Sequence, residues 1–187
     1  MDAGAEKKLS KFMSLVLRHD PQAAGLTLDA AGWADVSALV EGACAKGLIC
    51  TAEDIAHVVA ASDKRRFALS GDQRRVRAVQ GHSVPVDLGL DPCDPPDILF
   101  HGTADKNIAA IQAVGLHPQS RQYVHLSPDM GTARKVGQRH GKPVVFRVLA
   151  AQAAAEGQPF YKAQNGVWLT GPVAKEFLEL ASDCSEG

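Results

Sequence analysis

Lys64–Val79 reads KRRFALSGDQRRVRAV. Two short extended pieces, Arg66 to Leu69 and Arg75 to Val79, flank Ser70-Gly71-Asp72, a turn composition. In the second piece Arg75, Val76, Arg77 and Ala78 alternate polar with apolar, the period of a strand with one face on a core. The stretch also carries Lys64, Arg65, Arg66, Arg74, Arg75 and Arg77 against Asp72. Such a local basic face suits an anionic partner more than a merely solvated strand face.

Upstream, the spacing predicts three short helices. Leu9, Phe12, Met13, Val16 and Leu17 form the apolar stripe of a helix over Lys7–Leu17. Asp20-Pro21 ends it, because the residue before proline is pushed out of the helical region. Arg18 and His19 therefore sit at its C-terminus. A second helix starts with Asp35 as N-cap and stops at Gly47. A third opens at Thr51, where Thr51 and Asp54 resemble a capping box. Three helices followed by a two-stranded ribbon describe a winged-helix-like module. Some such modules bind nucleic acid and others contact only protein.

Downstream, Val84–Pro96 carries four prolines and three aspartates and reads as a connector. The expected division is 1–80, a connector over 81–97, and 98–187. In the last part Ile98–Phe100, Val124–Leu126, Pro143–Leu149 and Val167–Leu169 read as strands. Asp105–Val114 and Pro128–His140 read as helices closed by Gly115 and Gly141. Mixed short strands and helices give an α+β fold class.

The 187 residues are 45% hydrophobic and 22% charged, with net charge −1, which argues against a nonspecific nucleic-acid coater. No apolar run reaches the roughly 18–20 residues of a membrane span, and no apolar region follows the charged start MDAGAEKKLSK. A cytoplasmic setting is expected. Cys44, Cys50, Cys93 and Cys184 form no C-x-x-C pair and read as reduced, structural cysteines. The P-loop, dinucleotide-binding, nucleophile-elbow and zinc-protease motifs are all absent, and no metal-ligand cluster is expected.

Several residues could carry chemistry. Arg18-His19 either complements a helix dipole or presents two cationic donors. His101-Gly102-Thr103 follows a strand and precedes a helix. The glycine would admit a ligand to the backbone, and the threonine would offer a hydroxyl. The same string also fits an ordinary strand-to-helix turn. Arg121 stands before Val124-His125-Leu126-Ser127, where His125 reads as a core histidine or a ligand contact.

The strings LSKFMSLVLRHDP, GLTLDAAGW, DKRRFAL, RVRAVQGHSVPVDL, LFHGT, RQYVHLS, RHGKPVVFRV and FYKAQNGVWLT occur in that order. Together they resemble the RNA 2′-phosphotransferase family. The resemblance implies an N-terminal winged-helix RNA-binding lobe and a C-terminal ADP-ribosyltransferase-like lobe that binds NAD. It implies an RNA bearing a 2′-phosphate and NAD as co-substrates, no metal, no membrane and a monomer. By the same resemblance Arg18, His19, Arg66 and Arg121 are the catalytic positions. His101, Gly102, Thr103, His125 and Ser127 are the NAD candidates, with Gly81, His82 and Ser83 beside them. Lys64, Arg65, Arg74 and Arg75 are the RNA-binding candidates. Where related transferases carry a glutamate, Val167 stands here, which fits an acceptor that is already an anionic nucleophile. Three arginines can hold a dianionic phosphate and stabilise charge on its oxygens. The alternatives are a transferase that ADP-ribosylates nucleic-acid terminal phosphates, and a noncatalytic winged-helix binding module.

Overall fold

The structure, a computed structural model, describes residues 1–62 and 64–181; Cys184 lies outside them. It is mixed α/β and divides into two compact units, Met1–Gly89 and Leu90–Gly187. That division falls within the segment 81–97. No helix among the described residues is long and apolar enough to cross a membrane.

In the first unit, helix α1 spans Ala3–Val16 and starts earlier than Lys7 because the Asp2 carboxylate caps it, accepting from Ala5 N. Its buried stripe of Leu9, Met13 and Val16 is the one that the apolar spacing marks. Strand β1, Trp33–Asp35, leads directly into α2, Val36–Ala45, where Asp35 accepts from the amides of Ser37 and Ala38. Helix α3 covers Ala52–Ala60, with both bonds of the Thr51–Asp54 capping box formed. Strands β2, Phe67–Leu69, and β3, Arg75–Ala78, complete a three-stranded antiparallel sheet of order β1-β3-β2. The ribbon is thus three-stranded, not two-stranded. Trp33 pairs with Arg77, and Phe67 with Ala78. The two-residue period then turns Ala34, Val76, Ala78 and Phe67 inward onto Met13, Leu39 and Ile55. It leaves Trp33, Arg75 and Arg77 on the outer face.

The second unit opens with β4, Ile98–Ala104, which runs four residues further than the hydrophobic string suggests. It pairs antiparallel with β6, Pro143–Leu149, over seven positions, from Ile98 opposite Leu149 to Ala104 opposite Pro143. His101-Gly102-Thr103 therefore lies inside a strand, not in a strand-to-helix turn. Between β4 and β6 come α4, Ile108–Val114, β5, Val124–Leu126, and α5, Met130–Gly137. Helix α6, Ala150–Ala155, follows β6. Strands β7, Phe160–Lys162, β8, Trp168–Thr170, and β9, Leu178–Leu180, complete two antiparallel sheets, β4-β6-β9 and β5-β8-β7. A bridge between Phe100 and Ser127, with both backbone bonds made, links β4 to the end of β5. Leu99, Leu126, Val148, Phe160 and Trp168 fill the core beneath.

Helix α5 approaches β4 closely. A Cβ on Gly102 would collide with the Ala133 carbonyl oxygen, and one on Gly137 would lie 2.6 Å from the Thr103 oxygen. Glycine at position 102 is thus required by helix-on-strand packing, a cause that the sequence reading attributed to a ligand.

Candidate active site

In the first unit the catalytic candidates are tied together mainly through backbone. After α1 the chain closes in a tight turn in which the amides of His19 and Asp20 both reach Leu15 O, at 2.9 and 3.0 Å. Asp20 then caps the short 3-10 turn Pro21–Ala24. This fixes Arg18 and His19 at the helix end. The Arg18 guanidinium lies 5.8 Å over the Phe67 ring, and its Nη2 donates to Arg66 O at 3.4 Å. Val79 N donates to the same oxygen at 3.0 Å. Arg65, just before, sits in the left-handed region at φ 42. That conformation is uncommon for a non-glycine residue.

The segment Gly81–Ser83, read from the sequence as lining the cofactor, folds back on Arg18 and His19. Gly81 takes φ +92, and a Cβ there would stand 3.6 Å from the Arg18 side chain. Ser83 N donates to Arg18 O at 2.9 Å, and Val84 N to the same oxygen at 3.3 Å. His19 Nδ1 and Ser83 Oγ are 2.9 Å apart. His82 between them is 2% exposed, and neither ring nitrogen has a hydrogen-bond partner among the described residues. Burial, followed by the charges of Arg18, His19 and Arg77, pushes its pKa down to about 4, so its imidazole is neutral near pH 7. The first unit thus brings Arg18, His19 and a neutral His82 together with the main-chain oxygen of Arg66, from three segments of chain.

The RNA-binding candidates are dispersed. Lys64, Arg65, Arg74 and Arg75 are all exposed. Arg75 pairs with Asp29 at 3.4 Å and lies 5.6 Å over Trp33. Arg77 stacks closer on the same ring, at 4.6 Å. The arginine–tryptophan cluster was not legible beforehand, because it depends on the Trp33–Arg77 register across the sheet.

In the second unit two histidines are oriented by main-chain carbonyls. His101 Nδ1 lies 3.1 Å from His125 O, and His125 Nδ1 3.0 Å from Tyr123 O. A carbonyl only accepts, so both rings carry the proton on Nδ1. Burial lowers the His101 pKa. The bond to His125 O opposes this, and the Arg121 and His140 charges add to it. A neutral His101 protonated on Nδ1 presents Nε2 as an acceptor. Thr103 is buried, and its hydroxyl oxygen accepts from Asn107 Nδ2 at 2.9 Å, a partner that the sequence reading missed. Arg121 is exposed and follows a turn closed by its own amide on Pro118 O. Ser127 is fixed by the bridge to Phe100. Val167, at the position compared with a glutamate, is half-buried just before β8.

Comparison with known proteins places the whole chain among its relatives. The model of the RNA 2′-phosphotransferase, Tpt1/KptA family matches residues 4–171. A protein of Hahella chejuensis named probable RNA 2′-phosphotransferase is 51% identical over 181 residues, covering 97% of this chain and 97% of its own. One of Agrobacterium fabrum with the same name is 54% identical over 176 residues, covering 94% and 95%. One of Streptomyces coelicolor is 49% identical over 171 residues, covering 91% and 93%. The chain belongs to the RNA 2′-phosphotransferase family.

Proposed function

We propose that this protein is an NAD-dependent RNA 2′-phosphotransferase, which removes an internal 2′-phosphate from RNA. The observation that carries the reading is the anchored Arg18-His19 pair at the end of α1, with Arg18 bonded to the main chain of Arg66. There a carbonyl bond and an aromatic face hold the Arg18 guanidinium in place. Arginine forks match phosphate oxygens in geometry and charge, and preset donors stabilise charge that builds on those oxygens.

The second unit has groups that suit the other substrate. The unprotonated Nε2 of a neutral His101 can accept from a ribose hydroxyl, and Arg121 supplies a cation near that ring. NAD provides an electrophilic anomeric carbon with nicotinamide as its leaving group. In the first step an oxygen of the RNA 2′-phosphate bonds to that carbon as nicotinamide departs, giving an ADP-ribosylated phosphate. In the second, the ribose 2″-oxygen bonds to phosphorus and releases its proton to solvent. The bond from phosphorus to the RNA 2′-oxygen breaks, and that oxygen takes a proton. The products are RNA with a 2′-hydroxyl and ADP-ribose 1″,2″-cyclic phosphate. Arg18 and Arg66 hold the phosphate throughout. Arg121, in the second unit, serves the NAD ribose. The helices and sheet of the first unit support its role as the RNA-binding module.

The test is turnover of a short RNA bearing one internal 2′-phosphate, with and without NAD. Loss of the phosphate only with NAD, and release of the cyclic product, supports the reading. An adduct that accumulates unresolved favours a one-step ADP-ribosyltransferase, and NAD-independent RNA binding without turnover favours a binding module.

A further inference from the structure

Two contacts of Ser83 constrain the protonation of His19. The Ser83 hydroxyl has one proton. It reaches Arg18 O at 3.4 Å as a donor, and its oxygen lies 2.9 Å from His19 Nδ1. Both contacts are hydrogen bonds at once only if the hydroxyl donates to the carbonyl and His19 Nδ1–H donates to Ser83 Oγ. Ser83 is itself anchored by its amide on Arg18 O at 2.9 Å. The His19 ring is thereby fixed relative to the Arg18 backbone from which the candidate phosphate ligand extends.

We infer that Ser83 is a positioning residue: it holds His19 as the Nδ1–H tautomer, so that Nε2 meets the RNA 2′-phosphate and protonates the departing 2′-oxygen. This rests on the function proposed above. With the phosphate bound, the imidazolium has protons on both nitrogens. Nδ1–H donates to Ser83 and Nε2–H to a phosphate oxygen. As the bond from phosphorus to the RNA 2′-oxygen breaks, the Nε2 proton passes to that oxygen. His19 is left neutral with its proton on Nδ1, the tautomer that Ser83 favours. The ring therefore needs no proton shift between its nitrogens to complete the step, and it regains the Nε2 proton from solvent. An unconstrained imidazole prefers the opposite tautomer, so the serine contact works against the intrinsic bias, as second-partner bonds do at other histidines.

The experiment is a two-bond proton–nitrogen correlation spectrum of the imidazoles in the intact protein above its histidine titration, with His19 assigned by loss of its signals in His19→Gln. Wild type and Ser83→Thr should show His19 protonated on Nδ1, and Ser83→Ala should shift it toward Nε2. In turnover, Ser83→Ala should lower kcat about tenfold with the KM for RNA little changed, and Ser83→Thr should restore most of it. An Nε2–H signal in the wild type, or a tautomer unchanged in Ser83→Ala, overturns the inference even if the enzyme turns over normally. An Nδ1–H signal in a wild type that never turns over leaves the Ser83–His19 bond standing, but overturns both the proton-delivery role and the proposed function.

Discussion

The Arg18 guanidinium donates to the Arg66 main-chain oxygen at 3.4 Å. This link sets one arginine by the backbone of the other. The planar fork of a guanidinium also suits phosphate oxygens, a geometry that lysine lacks. Arg18→Lys keeps the charge, yet turnover should fall about a hundredfold, within the range for losing one preset donor. Steady-state kinetics on the 2′-phosphorylated RNA check this, and near-normal turnover would detach Arg18 from the phosphate.

His82 makes stability depend on pH. Its folded pKa of about 4 lies below the ordinary 6.5, so the unfolded chain binds more protons between those values. The contribution is complete above about pH 6.5 and is lost as pH falls toward about 4, amounting to roughly 3 kcal/mol in full. Urea unfolding at about pH 7 and about pH 4.5 should show the wild type losing roughly 2 kcal/mol more than His82→Gln. Equal losses would mean that His82 is not held neutral.

Gly102→Ala should destabilise the second unit by about 3 kcal/mol, because the new methyl meets the Ala133 carbonyl on α5. Gly71→Ala enters open space and should change stability by less than about 0.5 kcal/mol. Thermal unfolding of both variants compares them directly.

His101→Phe removes the Nε2 acceptor while keeping a ring in β4. The KM for NAD should rise about tenfold, the size of one lost hydrogen bond to a ligand, with the KM for RNA little affected. An unchanged KM for NAD would remove His101 from the nucleotide site.

The helix starts were legible because capping is local. Asp35, Thr51 and Asp54 act within four residues of their own position. Strands β5 and β6 were legible from their apolar strings. Strand β1 was not, since three residues carry no period and its partner Arg75–Ala78 lies some forty positions away. The extent of β4 was hidden because His101-Gly102-Thr103 has turn composition. Only pairing with Val144–Phe146 keeps it extended. Helix α6, with five alanines among six residues, has no apolar face to read. At the candidate site the residue types of Arg18, His19 and Arg66 were legible. Their link through the Arg66 carbonyl, and the return of Gly81–Ser83 onto Arg18, were not, because main-chain acceptors leave no mark in sequence.

The most direct test of the central claim is product analysis after incubation of the protein with an RNA bearing one internal 2′-phosphate, with NAD present or omitted. The account predicts 2′-hydroxyl RNA and ADP-ribose 1″,2″-cyclic phosphate in equal amounts only when NAD is present. Dephosphorylation without NAD, or inorganic phosphate in place of the cyclic product, would contradict it.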